Sequence, residues 1–204
     1  MLTKPENTRP PCREIFFAGL QVFLSPDDHE RVQFAYIASK YGHAKQVRDD
    51  GTRYFDHPKG AAWIYLSELK GRDPRLIIDI LLHDLSEDAY LLSPFRIGMN
   101  FGEDIAHDVR ALTKLPKGKE TTDQYLNRIV AQGPWAITAK LCDRLHNLRS
   151  LRGCAEEKKN AQIEETKNYH LPILISPLRN SHGKHWEQYA RALEGKITEV
   201  LATY

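Results

Sequence analysis

Apolar residues recur at three- and four-residue intervals along most of the chain, and strand-like alternation is nearly absent. Ile15–Leu24 reads as a short apolar helix, stopped by Ser25-Pro26. Ser25 or Asp27 can cap the next helix, in which Val32, Ala35, Tyr36 and Ser39 keep a helical period to about Gly42. Val47–Asp56 is polar and holds Gly51 within Asp-Asp-Gly-Thr, the signature of a loop. Asp56 then caps a helix with Pro58 in its first turn, running to about Leu69. Asp73 as N-cap and Pro74 at the first helical position open a segment in which Leu76, Ile77, Ile80, Leu81 and Asp84 fall within an almost wholly apolar helix. That segment is expected at the buried centre. Further helices are predicted at about Pro94–Asn100, Gly102–Leu115, Thr122–Gln132, Pro134–Arg149, Ala155–Leu174 and Lys184–Thr203. The pattern predicts an all-α, single-domain fold of nine or ten helices over residues 13–204. A flexible segment, residues 1–12 with Pro5, Pro10 and Pro11, precedes it.

The chain's 204 residues suit one full-sized domain or two small ones. Hydrophobic residues at 41% and charged residues at 27% argue against wholesale disorder. With 29 Lys and Arg against 27 Asp and Glu, the net charge of +2 offers no basic field for a nucleic acid polymer. Any cationic site must be local. No stretch approaches the roughly 18–20 apolar residues needed to span a bilayer. The first dozen residues also lack the basic start and apolar run of a secretory signal. Three widely spaced cysteines, Cys12, Cys142 and Cys154, argue against a disulfide framework or zinc ribbon and for a reducing cytoplasm. They are expected to be packing or surface residues. The aromatic C-terminal helix (Trp186, Tyr189, Tyr204) is expected in the core or at a subunit contact, so a homo-oligomer stays open.

Nine histidines stand out, several beside carboxylates. His83-Asp84-Leu85-Ser86-Glu87-Asp88 ends the most apolar helix, and helical spacing crowds its four ionisable side chains onto one turn. Three carboxylates there repel one another and are costly to desolvate, a cost that a divalent cation removes. A solvated helix end with a charged cap is the alternative. His57, in Phe55-Asp56-His57-Pro58, offers a second imidazole, or else a surface histidine near an N-cap. In Lys140–Arg149, Lys140, Asp143 and Asn147 share one face, while Ile137, Leu141, Leu145 and Leu148 form an apolar stripe. Asp143 is suited to be a fourth ligand, or belongs to an ion-paired helix.

In this order, His57-Pro58, His83-Asp84-x-x-Glu87-Asp88 and Lys140-Leu-x-Asp143-Arg144-x-His146-Asn147-x-Arg149 resemble the hydrolase domain of RelA/SpoT-type alarmone enzymes, within the wider HD-domain phosphohydrolases. The likeness covers roughly Val32 to Leu178. Without synthetase or regulatory domains attached, the chain is similar to a stand-alone small alarmone hydrolase. The resemblance implies one divalent metal per chain, Mn²⁺, held by His57, His83, Asp84 and Asp143. It implies that Glu87 and Asp88 align and activate the attacking water. The stretch from Tyr41 to Pro58 fits the family's loop at His43, Gln46, Arg48, Gly51, Tyr54 and His57.

By the same resemblance, Arg48 stacks on the nucleobase, and Lys114, Asn147 and Tyr169 line the nucleotide pocket. Lys45, Arg53, Lys140 and Arg144 are further candidates to offset substrate charge, Arg144 alternatively backing Asp84 or Glu87. The implied reaction removes the 3′-pyrophosphate from (p)ppGpp, giving GDP or GTP and pyrophosphate. Departures sit at Lys45, Asp49, Arg53 and Ala89, where the family favours Gly, Lys, Pro and Thr. Three of them lie in the base- and phosphate-reading loop, so (p)ppApp, NADPH or another nucleotide stays open as substrate, as does a non-catalytic alarmone-binding module. The expected partner is a small anionic nucleotide, with neither nucleic acid polymer nor membrane.

Overall fold

The computed structural model describes residues 10–85 and 93–204, and its regular structure is helical. The first helix, α1 (Arg13–Ala18), is shorter than the pattern suggests: it stops at Gly19, a poor helix former, and Leu20–Val22 make a separate 3-10 turn. α2 (Pro26–Gly42) begins as expected, with the Ser25 hydroxyl accepting from the Asp28 N–H at 3.1 Å. It buries Val32, Ala35, Tyr36 and Ser39. The loop that follows is drawn together by an isolated antiparallel bridge between Val47 and Arg53. Gly51, at φ 78°, makes the reversal that a side chain would strain.

Asp56 does not cap α3 (Asp56–Trp63) but lies inside its first turn, because its carboxylate is taken by Lys59 and Arg53, each at 3.0 Å. Nor does α3 stay regular to Leu69: it widens into a π turn over Ile64–Glu68. Asp73 and Pro74 do start α4 (Pro74–Leu82), the Asp73 carboxylate accepting from the Arg75 N–H at 2.9 Å. From Leu76 through Leu82 every side chain is fully buried, Asp79 included. Burying each large apolar side chain of that run stabilises the fold by about 1.5–3 kcal/mol.

Then come α5 (Pro94–Phe101), α6 (Glu103–Leu112), α7 (Thr122–Gln132) and α8 (Pro134–Arg149). α7 opens on a capping box between Thr121 and Gln124. α8 buries the predicted stripe of Ile137, Leu141, Leu145 and Leu148 and packs against α3, α4 and α7. α9 (Glu156–Glu165) continues through a π turn (Thr166–His170) into α10 (Leu171–Arg179), instead of ending near Leu174. Pro172 has no N–H to give the preceding turn, and the helix widens just before it. α11 (Lys184–Leu201) packs on α8 and α10, burying Trp186, Ala190, Leu193 and Ile197. With α9 and α10 counted as one body, the described residues form ten helical bodies, as the all-α expectation requires. Among these residues no helix is long and apolar enough to cross a membrane.

Candidate metal centre

Three helices bring the four expected ligands together. His57 stands in the first turn of α3, His83 and Asp84 directly follow α4, and Asp143 sits midway along α8. His57 Nε2 lies 3.0 Å from Asp143 Oδ1 and 3.5 Å from Asp84 Oδ2. His83 Nε2 lies 3.1 Å from Asp84 Oδ1 and 3.6 Å from Asp143 Oδ1. One donor atom each from His57, His83 and Asp143 falls within 4.8 Å of the others, and Asp84 adjoins both imidazoles. All but Asp84 are buried.

The donor set fits a divalent ion. His83 Nε2 is buried and makes no hydrogen bond among the described residues, although two carboxylate oxygens face it. A buried imidazole nitrogen in that state is what a metal would satisfy, and mixed imidazole and carboxylate donors suit a borderline cation. The pKa shifts show the same demand for positive charge. Burial disfavours a charged His83, yet the Asp84 and Asp143 carboxylates hold it well above the usual imidazole range. Asp143 is held well down: burial opposes its charge, but Lys140 and the two imidazoles outweigh it. Asp84 is lowered likewise against burial, chiefly by His83. His57, where burial wins, is lowered.

A layer of polar contacts holds these donors in place. His83 Nδ1 lies 2.8 Å from the Ile80 carbonyl on its own helix. The Tyr54 hydroxyl donates to Asp84 Oδ2 at 3.0 Å, and its ring stacks on His43. Asp143 accepts from Lys140 Nζ at 2.8 Å and from Asn147 Nδ2 at 2.6 Å, so the shared face predicted for α8 serves one carboxylate. His57 Nδ1 lies 2.9 Å from His146 Nδ1, and burial, then the neighbouring His57 and Arg48, push His146 well below its ordinary range.

A cleft opens onto this centre, walled by the 47–54 loop, α8 and α9. Of the expected substrate contacts it gathers Arg48, Lys114, Lys140, Arg144 and Asn147. It does not gather Lys45, Arg53 or Tyr169. Lys45 is exposed on the turn after α2, Arg53 is tied to Asp56, and Tyr169 is half-exposed on the π turn of α9. Arg144 does not back Asp84. It turns to α9 instead, donating to Glu165 Oε2 at 2.8 Å, to His170 Nε2 at 2.7 Å and to Gln162 Oε1. His170 reaches Arg144 from the π turn before Pro172, and burial keeps it well below its ordinary range. Glu87 and Asp88, the expected water-activating pair, lie outside the described residues.

Sequence reasoning did not single out the roles of Tyr54, His146, His170 or Lys158. Lys158 pairs with Asp49 across the cleft, where Cys154 also lies near Asp49. Cys142 is buried and is not among the clustered donors, and Cys12 is exposed.

Residues 35–173 match the family model of the HD domain. A protein of Mycobacterium leprae named probable GTP pyrophosphokinase is 31% identical over 179 residues, 84% of this chain and 22% of its own. The guanosine-3′,5′-bis(diphosphate) 3′-pyrophosphohydrolase of Aquifex aeolicus is 37% identical over 153 residues, 72% of this chain and 22% of its own. This chain thus spans under a quarter of the length of these relatives. A solved structure described as a metazoan ortholog of SpoT that hydrolyzes ppGpp superposes with a TM-score of 0.64. It is 23% identical and covers 85% of this chain and 97% of its own.

Proposed function

The chain belongs to the HD-domain family, and from that premise we propose that it is a RelA/SpoT-type hydrolase that removes the 3′-pyrophosphate from (p)ppGpp. The observation that carries this reading is the convergence of His57, His83, Asp84 and Asp143 at the floor of a cation-lined cleft. The pyrophosphohydrolase of Aquifex aeolicus, named for that reaction, supports the choice of substrate. A divalent ion on the four donors, Mn²⁺ in this proposal, would supply Lewis acidity toward water and toward a phosphoryl group.

The chain's own residues do the rest. Glu87 takes the proton of the attacking water and Asp88 orients that water. Water replaces the ribose 3′ oxygen at phosphorus, that oxygen leaves with a proton as the 3′ hydroxyl of GDP or GTP, and pyrophosphate is released. Lys140 keeps Asp143 ionised and aimed inward. Arg48, hydrogen-bonded to the neutral Asn147 and Ser150 side chains, faces the substrate with its charge uncompensated by those partners. Asp49, the reversed charge of the loop, is paired with Lys158, so the cleft wall offsets it internally.

Product analysis tests the reading. Purified chain with Mn²⁺ is given ppGpp, ppApp, NADPH and a nucleoside monophosphate. Pyrophosphate released from ppGpp in preference to the others supports it. Preference for ppApp moves the substrate to adenine, release of monophosphate replaces the reaction, and tight binding without turnover leaves a binding module.

A further inference from the structure

Both histidines of the proposed centre must present Nε2 to the ion, so each must carry its ring proton on Nδ1. For His83 the backbone arranges this: the Ile80 carbonyl, three residues back on the same helix, accepts from Nδ1. His57 lacks that device. Its equivalent carbonyl, Tyr54 O, already accepts the backbone N–H of His57 at 2.9 Å. Instead, His57 Nδ1 faces His146 Nδ1 at 2.9 Å, with the rings tilted at 57°.

Two imidazole nitrogens at that distance share one proton, and the other ring must accept it. An ion on His57 Nε2 takes that nitrogen's lone pair, so with the ion bound the proton belongs on His57 Nδ1 and the lone pair on His146 Nδ1. The backbone of α3 makes room for this contact. A Cβ at Gly60 would collide with the His146 ring.

We infer that His146 is a positioning residue: it accepts the Nδ1 proton of His57, fixes that tautomer, and so aims His57 Nε2 at a divalent ion. The inference rests on the metal centre proposed above but not on any substrate.

The test uses the full chain stripped of metal, with His146→Leu, His146→Asn and Gly60→Ala. An asparagine places its amide oxygen where Nδ1 stood and can still accept. A leucine cannot. Two quantities are read: the affinity for Mn²⁺ by titration calorimetry, and the exchange protection of the His57 Nδ1–H in ¹H–¹⁵N spectra of the protein loaded with diamagnetic Zn²⁺. We expect His146→Leu to lose about 10–100-fold in Mn²⁺ affinity, as removal of a ligand's hydrogen-bond partner does, and His146→Asn to recover most of it. Gly60→Ala should weaken Mn²⁺ binding while leaving the His146 side chain chemically intact. In the Zn²⁺-loaded parent chain and His146→Asn the His57 Nδ1–H should be protected from exchange, and in His146→Leu it should exchange freely. Wild-type affinity and an equally protected Nδ1–H in His146→Leu would overturn the inference. If the parent chain takes up neither Mn²⁺ nor Zn²⁺, the metal centre proposed above fails, and the inference with it.

Discussion

Asp79 of α4 and Asp108 of α6 meet as a carboxyl pair in the interior, both fully buried. Arg75 and Gln132 hydrogen-bond to Asp108, each at 2.8 Å, but among the described residues no donor reaches either Asp79 oxygen. Burial, then the facing Asp108, raise the Asp79 pKa well above the carboxylate range. Asp79 therefore keeps a proton that the unfolded chain gives up at ordinary carboxylate pH. The folded state binds more protons, so this pair stabilises at low pH and its contribution falls as pH rises above the carboxylate range. Asp79→Asn donates an amide N–H to Asp108 with no proton to lose. It should gain about 1–3 kcal/mol of stability over the parent chain at alkaline pH, and little near pH 4. Urea unfolding at a series of pH values checks this, and a loss equal at every pH would refute it.

The same aspartate shows where sequence reading stops. Helical period and capping chemistry are local, so the starts of α2 and α4 and the buried stripe of α8 could be read directly from Ser25, Asp73 and the spacing of Leu141, Leu145 and Leu148. His83 and Asp84 could also be picked out, since ionisable side chains at the end of an apolar helix need an explanation, whereas the set that joins them to His57 and Asp143 came from the family resemblance. Their supports could not. Tyr54 reaches Asp84 across 30 residues, His57 meets His146 across 89, and Arg48 meets Asn147 across 99. Which long side chains meet across such gaps is set by how the helices cross, which no local period encodes. Arg144 illustrates this: its charge suggested a role beside Asp84, but the π turn ahead of Pro172 swings His170 toward it and α9 claims it.

Asp143 carries both the centre and its stability. It is the buried counter-ion of Lys140, whose side chain is only 8% exposed. Asp143→Ala should abolish Mn²⁺ binding and cost about 3–5 kcal/mol, because Lys140 is left as an uncompensated buried charge. Asp84→Ala should lose the metal as well but destabilise far less, since its side chain reaches solvent and no lysine or arginine pairs with it among the described residues. Adding Lys140→Met to Asp143→Ala should restore much of the lost stability but no Mn²⁺ binding. Denaturant melts and calorimetric titration on the three variants separate the two effects. Equal destabilisation by Asp84→Ala and Asp143→Ala would show that Lys140 does not depend on its partner.

Glu87 is proposed to take a proton rather than to hold metal or nucleotide. Glu87→Gln should therefore leave Mn²⁺ affinity and nucleotide binding within a few-fold while turnover drops by about 10²–10⁴. Equilibrium binding measured beside single-turnover rates decides the point. Retained turnover removes Glu87 from the mechanism, and lost metal affinity makes it a ligand.

Arg48 differs from the other cations of the cleft in its partners. Lys140 faces Asp143, Arg144 faces Glu165 and Lys158 faces Asp49, and Lys114 lies over the Tyr125 ring, whereas among the described residues the side chains that accept from Arg48 are the neutral Asn147 and Ser150. A guanidinium held by neutral acceptors keeps its charge for an anionic ligand. The contacts also orient its plane, since one Nη2 serves Asn147 Oδ1 at 2.8 Å and Ser150 Oγ at 3.1 Å. Losing one such charge-assisted contact costs about 1.5–3 kcal/mol, so Arg48→Ala should raise KM by about 10–100-fold. If Arg48 binds substrate and transition state equally, kcat should change by no more than a few-fold. Arg48→Lys should recover only part of the loss, because an ammonium keeps the charge but not the planar fork. Steady-state kinetics on ppGpp with both variants checks this: an equal fall in kcat and kcat/KM would place Arg48 in the transition state instead, and unchanged kinetics would remove it from the substrate site.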